Sequence, residues 1–177
     1  MKSIIRSDSM MMSLLACVRD LDLPDWYIGA GFVRNKVWDT ISVKKNTRYE
    51  DIDVIYFDRK NLSEARDRHL EKTLSKKYPG QKWSVKNQAR MHQRNGDRPY
   101  RSSADAIQYW PETVTTVAVT LGKRGALKTI APYGLRDLFN FRIKPTPPFM
   151  KKMDIFHQRQ KQKNWRKKWK QITFIFP

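Results

Sequence analysis

Two stretches decide the fold: Trp26-Tyr27-Ile28-Gly29-Ala30-Gly31-Phe32-Val33-Arg34-Asn35, and Asp51-Ile52-Asp53-Val54-Ile55-Tyr56-Phe57-Asp58. In the first, Trp26 to Ile28 reads as a short strand running into a Gly-Ala-Gly turn. Phe32 to Ile41 follows as a helix, with Val33, Val37, Trp38 and Ile41 on one face. Glycine lets a backbone approach a ligand closely, and amides at a helix N-terminus attract phosphate. A plain strand-to-helix connection uses the same residues. No third glycine follows Phe32-Val33-Arg34, so this is not the dinucleotide-binding fingerprint, and it is not a P-loop either. The second stretch is a strand rich in β-favouring residues. Alternate strand residues share a face, so Asp51 and Asp53 converge while Ile52 enters the core. Paired carboxylates suit Mg²⁺, which takes one or two carboxylates together with substrate phosphates. A solvated strand start accounts for the same pair more plainly.

Outward from these stretches, Ser9 is placed to cap a helix carrying Met11, Leu14, Leu15, Val18 and Leu21, with Cys17 as a small buried hydrophobe. The apolar run before Cys17 is too short for an export signal. A polar connection spans 42–49. Residues 61–77 form a charged helix started by Asn61 or Ser63, and Lys82 to Val85 a strand followed by a helical turn through His92. Residues 103–109 are a short helix. Thr113 to Leu121 is rich in Val and Thr and reads as a strand that pairs with Leu127 to Ala131. Gly134 to Phe139 is a short helix and Phe141 to Ile143 a short strand. Pro145, Pro147 and Pro148 stiffen a connector, and Phe149 to Gln171 continues as a basic helix. Strands and helices mix without strict alternation, so the expected class is α+β, with helices flanking a mixed sheet. The expected organisation is an N-terminal helix at 1–22, a domain at 23–148 and a basic tail at 149–177 that packs on it.

The 177 residues include 36 Lys+Arg against 17 Asp+Glu, a net charge of +19. That field attracts nucleic acid, nucleotides or anionic lipid. With 40% hydrophobic and 12% aromatic residues the chain can build a core, which excludes wholesale disorder. No apolar run reaches the length of a membrane span. One cysteine excludes an internal disulfide framework, and the expected location is cytoplasmic. The three histidines lack ligand-like spacing, which argues against zinc, and no acyl-transfer signature is present. Trp38, Trp83 and Trp110 sit in apolar patterns and read as core.

The Gly-rich turn followed by Asp-x-Asp on a strand resembles the polymerase-beta-like nucleotidyltransferase superfamily. Residues 30–35 look like a variant of the Gly-Gly-x-Val-Arg-Asp turn of CCA-adding enzymes and poly(A) polymerases. Residues 23–39, 51–58, 83–92, 105–119 and 131–139 are similar to a family of small bacterial nucleotidyltransferase-like proteins. The resemblance implies a nucleotidyltransferase-like mixed sheet with its site at the turn and the Asp pair. It implies Asp51 and Asp53 as ligands of Mg²⁺ (or Mn²⁺), Gly29 and Gly31 as room for a triphosphate, and Arg34 as a phosphate contact. The implied reaction moves a nucleoside monophosphate from an NTP to an acceptor. Active relatives carry a third carboxylate on a later strand, and here that strand ends in Lys86 and Asn87. Lys86 suits phosphate, and Asn87 can offer a metal an oxygen but cannot act as a base. Asp58, Asp105 and Glu112 are the candidate replacements for the acid. The missing acid keeps a second reading open, an inactive module of this fold that binds nucleotide or RNA.

Residues 149–170 carry nine basic residues and one Asp, a net of +8, and the rest of the chain carries +11. Trp165 and Trp169 lie four apart with Lys and Arg around them. The expected arrangement is aromatic docking beneath a solvated basic face, and the alternative is a helix that binds RNA or DNA. RNA is the leading acceptor or ligand on that reading.

Overall fold

The computed structural model describes residues 1–44, 48–49 and 51–176, so part of the predicted 42–49 connection lies outside the described residues. Helix α1 (Lys2–Arg6) leads into α2 (Ser9–Arg19), whose cap is Asp8 rather than Ser9. The Asp8 carboxylate accepts the Met11 amide at 2.9 Å, and its charge complements the helix N-terminus. Cys17 is buried among the core residues of α2.

Strand β1 (Tyr27–Gly29) then turns into helix α3 (Gly31–Ile41). Strand β2 (Asp51–Tyr56), helix α4 (Glu64–Lys77, capped by Ser63) and strand β3 (Lys82–Asn87) make one parallel crossover unit. Helix α5 (Gln88–Asn95) follows directly and α6 (Ser103–Ala106) closes the next loop. Strands β4 (Ala118–Leu121) and β5 (Leu127–Ile130) form the expected hairpin. The sheet order is β3-β2-β1-β4-β5, with β1 antiparallel to both neighbours and β2 parallel to β3. This is the mixed sheet of an α+β domain.

Strand parity gives the sheet two different faces. Ile28, Ile52, Val54, Trp83, Val85 and Val119 join one buried cluster with residues of α2, α3 and α4. Asp51, Asp53, Ser84 and Lys86 occupy the opposite parity and stay partly or fully exposed. The polar face is therefore the one left for a ligand.

Two elements differ from expectation. Thr113 to Val117 is not strand: the Thr115 and Thr116 amides both bond the Glu112 carbonyl, at 3.0 and 3.2 Å. Their hydroxyls reinforce the turn, Thr115 to the Glu112 carbonyl and Thr116 to the Thr113 carbonyl. Threonine's local bonding outweighs its strand preference here. The tail is also not one helix. After α7 (Arg136–Phe139), β6 (Arg142–Ile143) and a tight helical turn at Pro147–Lys151, helix α8 covers only Met153–Lys163. Asn164, at φ 41°, stops it in the left-handed conformation that ends helices. A turn at Trp165–Lys167 follows, and strand β7 (Thr173–Phe174) pairs in parallel with β6. Phe156, Trp165, Trp169 and Ile172 are buried in the same core cluster as the sheet. The Trp38 ring meets Trp165 and Trp169 edge-on, at 6.0 and 5.0 Å. No helix among the described residues is long and apolar enough to cross a membrane.

Candidate functional site

Asp53 sits mid-sheet, beside Gly29 of β1 on one side and Ser84 of β3 on the other. It opens into a cleft of about 510 Å³. Burial first, and the neighbouring Asp51 second, push its carboxyl above the ordinary aspartate value, while a hydrogen bond with Ser84 and the charges of Lys163 and Arg159 pull the other way. No described residue forms an ion pair with Asp53 within 4.0 Å. Asp51 lies two residues back on the same face, exposed, with Lys82 at 3.2 Å. A pair so exposed is weak and frees either partner readily. A partly buried carboxylate without a cation, beside a second carboxylate, is a locus of negative potential that fits a hard divalent ion. Among the described residues no group of three or more acids, histidines or cysteines stands ready to hold a metal alone. Such an ion would need substrate oxygens to complete its shell.

The β3 position registered against Asp53 is Ser84, and Lys86 stands opposite Ile55. The β3 neighbour of Asp53 is thus a hydroxyl, while Lys86 and Asn87, the positions where an acid was expected, stand against Ile55 and Tyr56. The Asn87 side chain is engaged within the chain. Its side-chain nitrogen donates to the carbonyls of Asp58 and Asn61, at 2.7 and 2.8 Å, and its oxygen accepts the amides of Asp58 and Ala89, at 3.0 and 3.1 Å. Every polar atom of this buried amide is used in fastening the 58–61 loop and capping α5. None of the candidate replacement acids fills the vacancy either. Asp58 pairs with Arg66, Asp105 with Arg98, and buried Glu112 with Arg159. Lys86 does line the cleft, with Glu71 at 3.0 Å.

The turn residues divide their work differently from expectation. A Cβ on Gly29 would lie 2.9 Å from Cη2 of Trp110 and 3.2 Å from Cβ of Ala118. The missing side chain makes room for the Trp110 ring, not for a ligand. Trp110 lines the cleft rather than joining the core as its sequence context suggests. On Gly31 a Cβ would meet only Arg34 and Asn35, both at 3.7 Å. The strained residue is the one between them. Ala30, at φ 51° and ψ −120°, caps α3, lines the cleft and donates its amide to the Val117 carbonyl at 3.0 Å. Arg34 is buried beneath the tail: its guanidinium lies 4.0 Å from the Trp165 ring centre and bonds the Asn35 side chain. Burial brings its pKa down to about 10, an effect that Glu112 opposes and Arg159 adds to. It is absent from the cleft lining, so it offers no phosphate contact in this arrangement.

Sequence reasoning missed Arg159. It projects from α8 into the cleft while its Nε donates to Glu112 at 2.7 Å. Gln160 and the Thr115 hydroxyl also bond that fully buried carboxylate, at 2.7 and 2.9 Å. A guanidinium fixed by a buried acid is pre-set for an anionic ligand. Lys152 and Arg94 also line the cleft. Nothing in the spacing of a basic tail distinguishes Arg159 from its neighbours. Ser84 was legible in principle, because it shares strand parity with Lys82 and Lys86.

The sequence matches a family described as nucleotidyltransferase over residues 16–174. An NMR structure described as revealing a CCA-adding enzyme head domain is 37% identical, with a TM-score of 0.89, covering 100% of this chain and 96% of that one. A CCA-adding enzyme in complex with CTP is 13% identical, with a TM-score of 0.59 over 99% of this chain and 43% of the enzyme. The Thermotoga maritima CCA-adding enzyme complexed with tRNA is 15% identical, with a TM-score of 0.60 over 99% of this chain and 42% of the enzyme. The likeness to these two longer enzymes is one of fold, and the chain spans less than half the length of each. No curated protein matches.

Proposed function

The chain belongs to this nucleotidyltransferase family, and from that premise we propose that it moves a nucleoside monophosphate from an NTP to an acceptor hydroxyl or phosphate, releasing pyrophosphate. The observation that carries the proposal is Asp53, a partly buried carboxylate without an ion pair among the described residues, facing a cleft walled by Lys86, Lys152 and Arg159. Negative charge at the floor and positive charge on the walls suit a metal-bound polyphosphate.

In this reading Asp51 and Asp53 hold Mg²⁺ (or Mn²⁺), which when bound neutralises charge on the phosphates undergoing transfer. Arg159, steadied by Glu112, and Lys86 bind phosphate oxygens. Glycine at 31 meets no steric demand within the chain, so its use is close approach of a phosphate to the first amides of α3. Trp110 and Tyr109, which also line the cleft, offer ring surface to a base. The acceptor is RNA, in keeping with the basic charge of the tail and with the tRNA bound by the Thermotoga enzyme. Transfer of label from α-labelled NTPs to cellular RNA in the presence of Mg²⁺ is the test. The wild type should label acceptor and Asp53→Asn should not, and equal behaviour of the two would remove the proposal.

Lys86 and Asn87 where an acid was expected, and Ser84 as the β3 neighbour of Asp53, favour a second reading, a member of the fold that binds nucleotide without turnover. It predicts Mg²⁺-dependent NTP binding with no labelled product from any acceptor.

A further inference from the structure

On the far side of α8 from the cleft lies a second hollow, of about 500 Å³, whose lining includes His157, Lys161, Arg166, Phe174 and Phe176. Its lining among the described residues holds no carboxylate. The rings of Phe174 and Phe176 are parallel to within 3°, with centres 5.9 Å apart. Phe176 is 48% exposed, an unusual state for a ring of that size. His157 stands edge-on to it at 5.1 Å, and the Arg166 guanidinium lies 5.0 Å from the centre of the Phe174 ring. The hollow has aromatic faces and cations but lacks the aliphatic stripe that a partner helix would need.

We propose that this groove binds a single-stranded segment of RNA, with bases stacked on Phe174 and Phe176 and phosphates met by Lys161 and Arg166. Aromatic faces accept any base, and the cations follow the backbone. In naming the acceptor's seat, the proposal rests on the transfer reading above. The two hollows are close neighbours. Arg159 of the cleft and Gln160 of the groove donate to the same Glu112 oxygen, each at 2.7 Å. An RNA held in the groove is therefore only about one helix diameter, roughly 10–12 Å, from the cleft.

The test is fluorescence anisotropy of the full chain with a labelled single-stranded RNA of about 12 nucleotides, within the span such grooves cover. Phe176→Ala should weaken binding roughly 5- to 150-fold, the loss expected for one stacked base. Phe176→Trp, which restores a ring, should bind like wild type. Lys161→Gln should lower the salt slope by about one. A wild-type chain that binds this RNA through the groove yet transfers nothing refutes the transfer reading alone. Conversely, a chain that transfers nucleotide while Phe176→Ala and Lys161→Gln leave RNA affinity untouched refutes the groove alone. Absence of RNA binding at about 100 mM salt, or equal competition by polyglutamate, would also overturn it.

Discussion

Ala30 holds a backbone conformation that side chains rarely adopt, at the lip of the cleft and between two glycines that do not need it. Strain of this kind costs of order 1–3 kcal/mol and gathers where a fold has been bent to meet a ligand. Ala30→Gly should relieve it, against roughly 0.5–1 kcal/mol of added freedom in the unfolded chain. The net gain is about 1 kcal/mol, or about 2–4 °C in Tm for a chain of this size. A melting point below wild type would show that Ala30 is not strained. Asp53 has a stability signature of its own. Its raised pKa means that the folded chain binds the proton more tightly than the unfolded chain, so this group lowers stability as pH rises above the unfolded value near 3.8. Asp53→Asn should therefore raise the metal-free Tm at pH 7, with the gain disappearing below about pH 4. That pattern is expected where a site gives up stability for function. The Asp pair was readable because strand parity alone sets its direction. Arg34 was misread because one side chain from the distant tail, Trp165, covers it.

At the scale of elements, β3 and α8 show what local pattern can and cannot reveal. The strand at β3 was plain from alternation, but the register that sets Ser84 against Asp53 is a property of two strands, unreadable from one. Asn87 looked like the remnant of a catalytic acid, whereas its four hydrogen bonds make it a loop fastener. Asn87→Asp should supply no metal site and should destabilise the fold by more than about 2 kcal/mol, since two donors are lost and two carbonyls are left unpaired. Urea denaturation measures this directly. The tail's aromatic docking was visible as a Trp165–Trp169 spacing, but its buried partner was not. The Trp169 indole donates to fully buried Asp39 at 2.8 Å. Trp169→Phe keeps a six-membered ring at the site but removes that bond and part of the indole, so the stability loss should be at least about 1–3 kcal/mol. A loss near zero would mean that packing alone holds the tail.

For the whole molecule, the +19 charge resolves into parts with different surroundings. Some cations, Arg159 and Lys152 among them, face the cleft. Others, Lys161 and Arg166, line the groove behind α8. The tail therefore belongs to both hollows, and Arg159 is the residue by which it reaches the cleft. The strands of the mixed sheet were legible one by one because each follows a local pattern, but their order rests on distant pairings such as Ile28 with Val119. The candidate site was legible in its acids and Lys86, which lie on strands, but not in Arg159 and Lys152, which the tail brings to the cleft by folding. Titration calorimetry with a non-hydrolysable NTP, with and without Mg²⁺, tests the central claim most directly. The account predicts binding that requires the metal and is lost in Asp53→Asn. Binding that is equally tight without metal, or unaltered in Asp53→Asn, would contradict it.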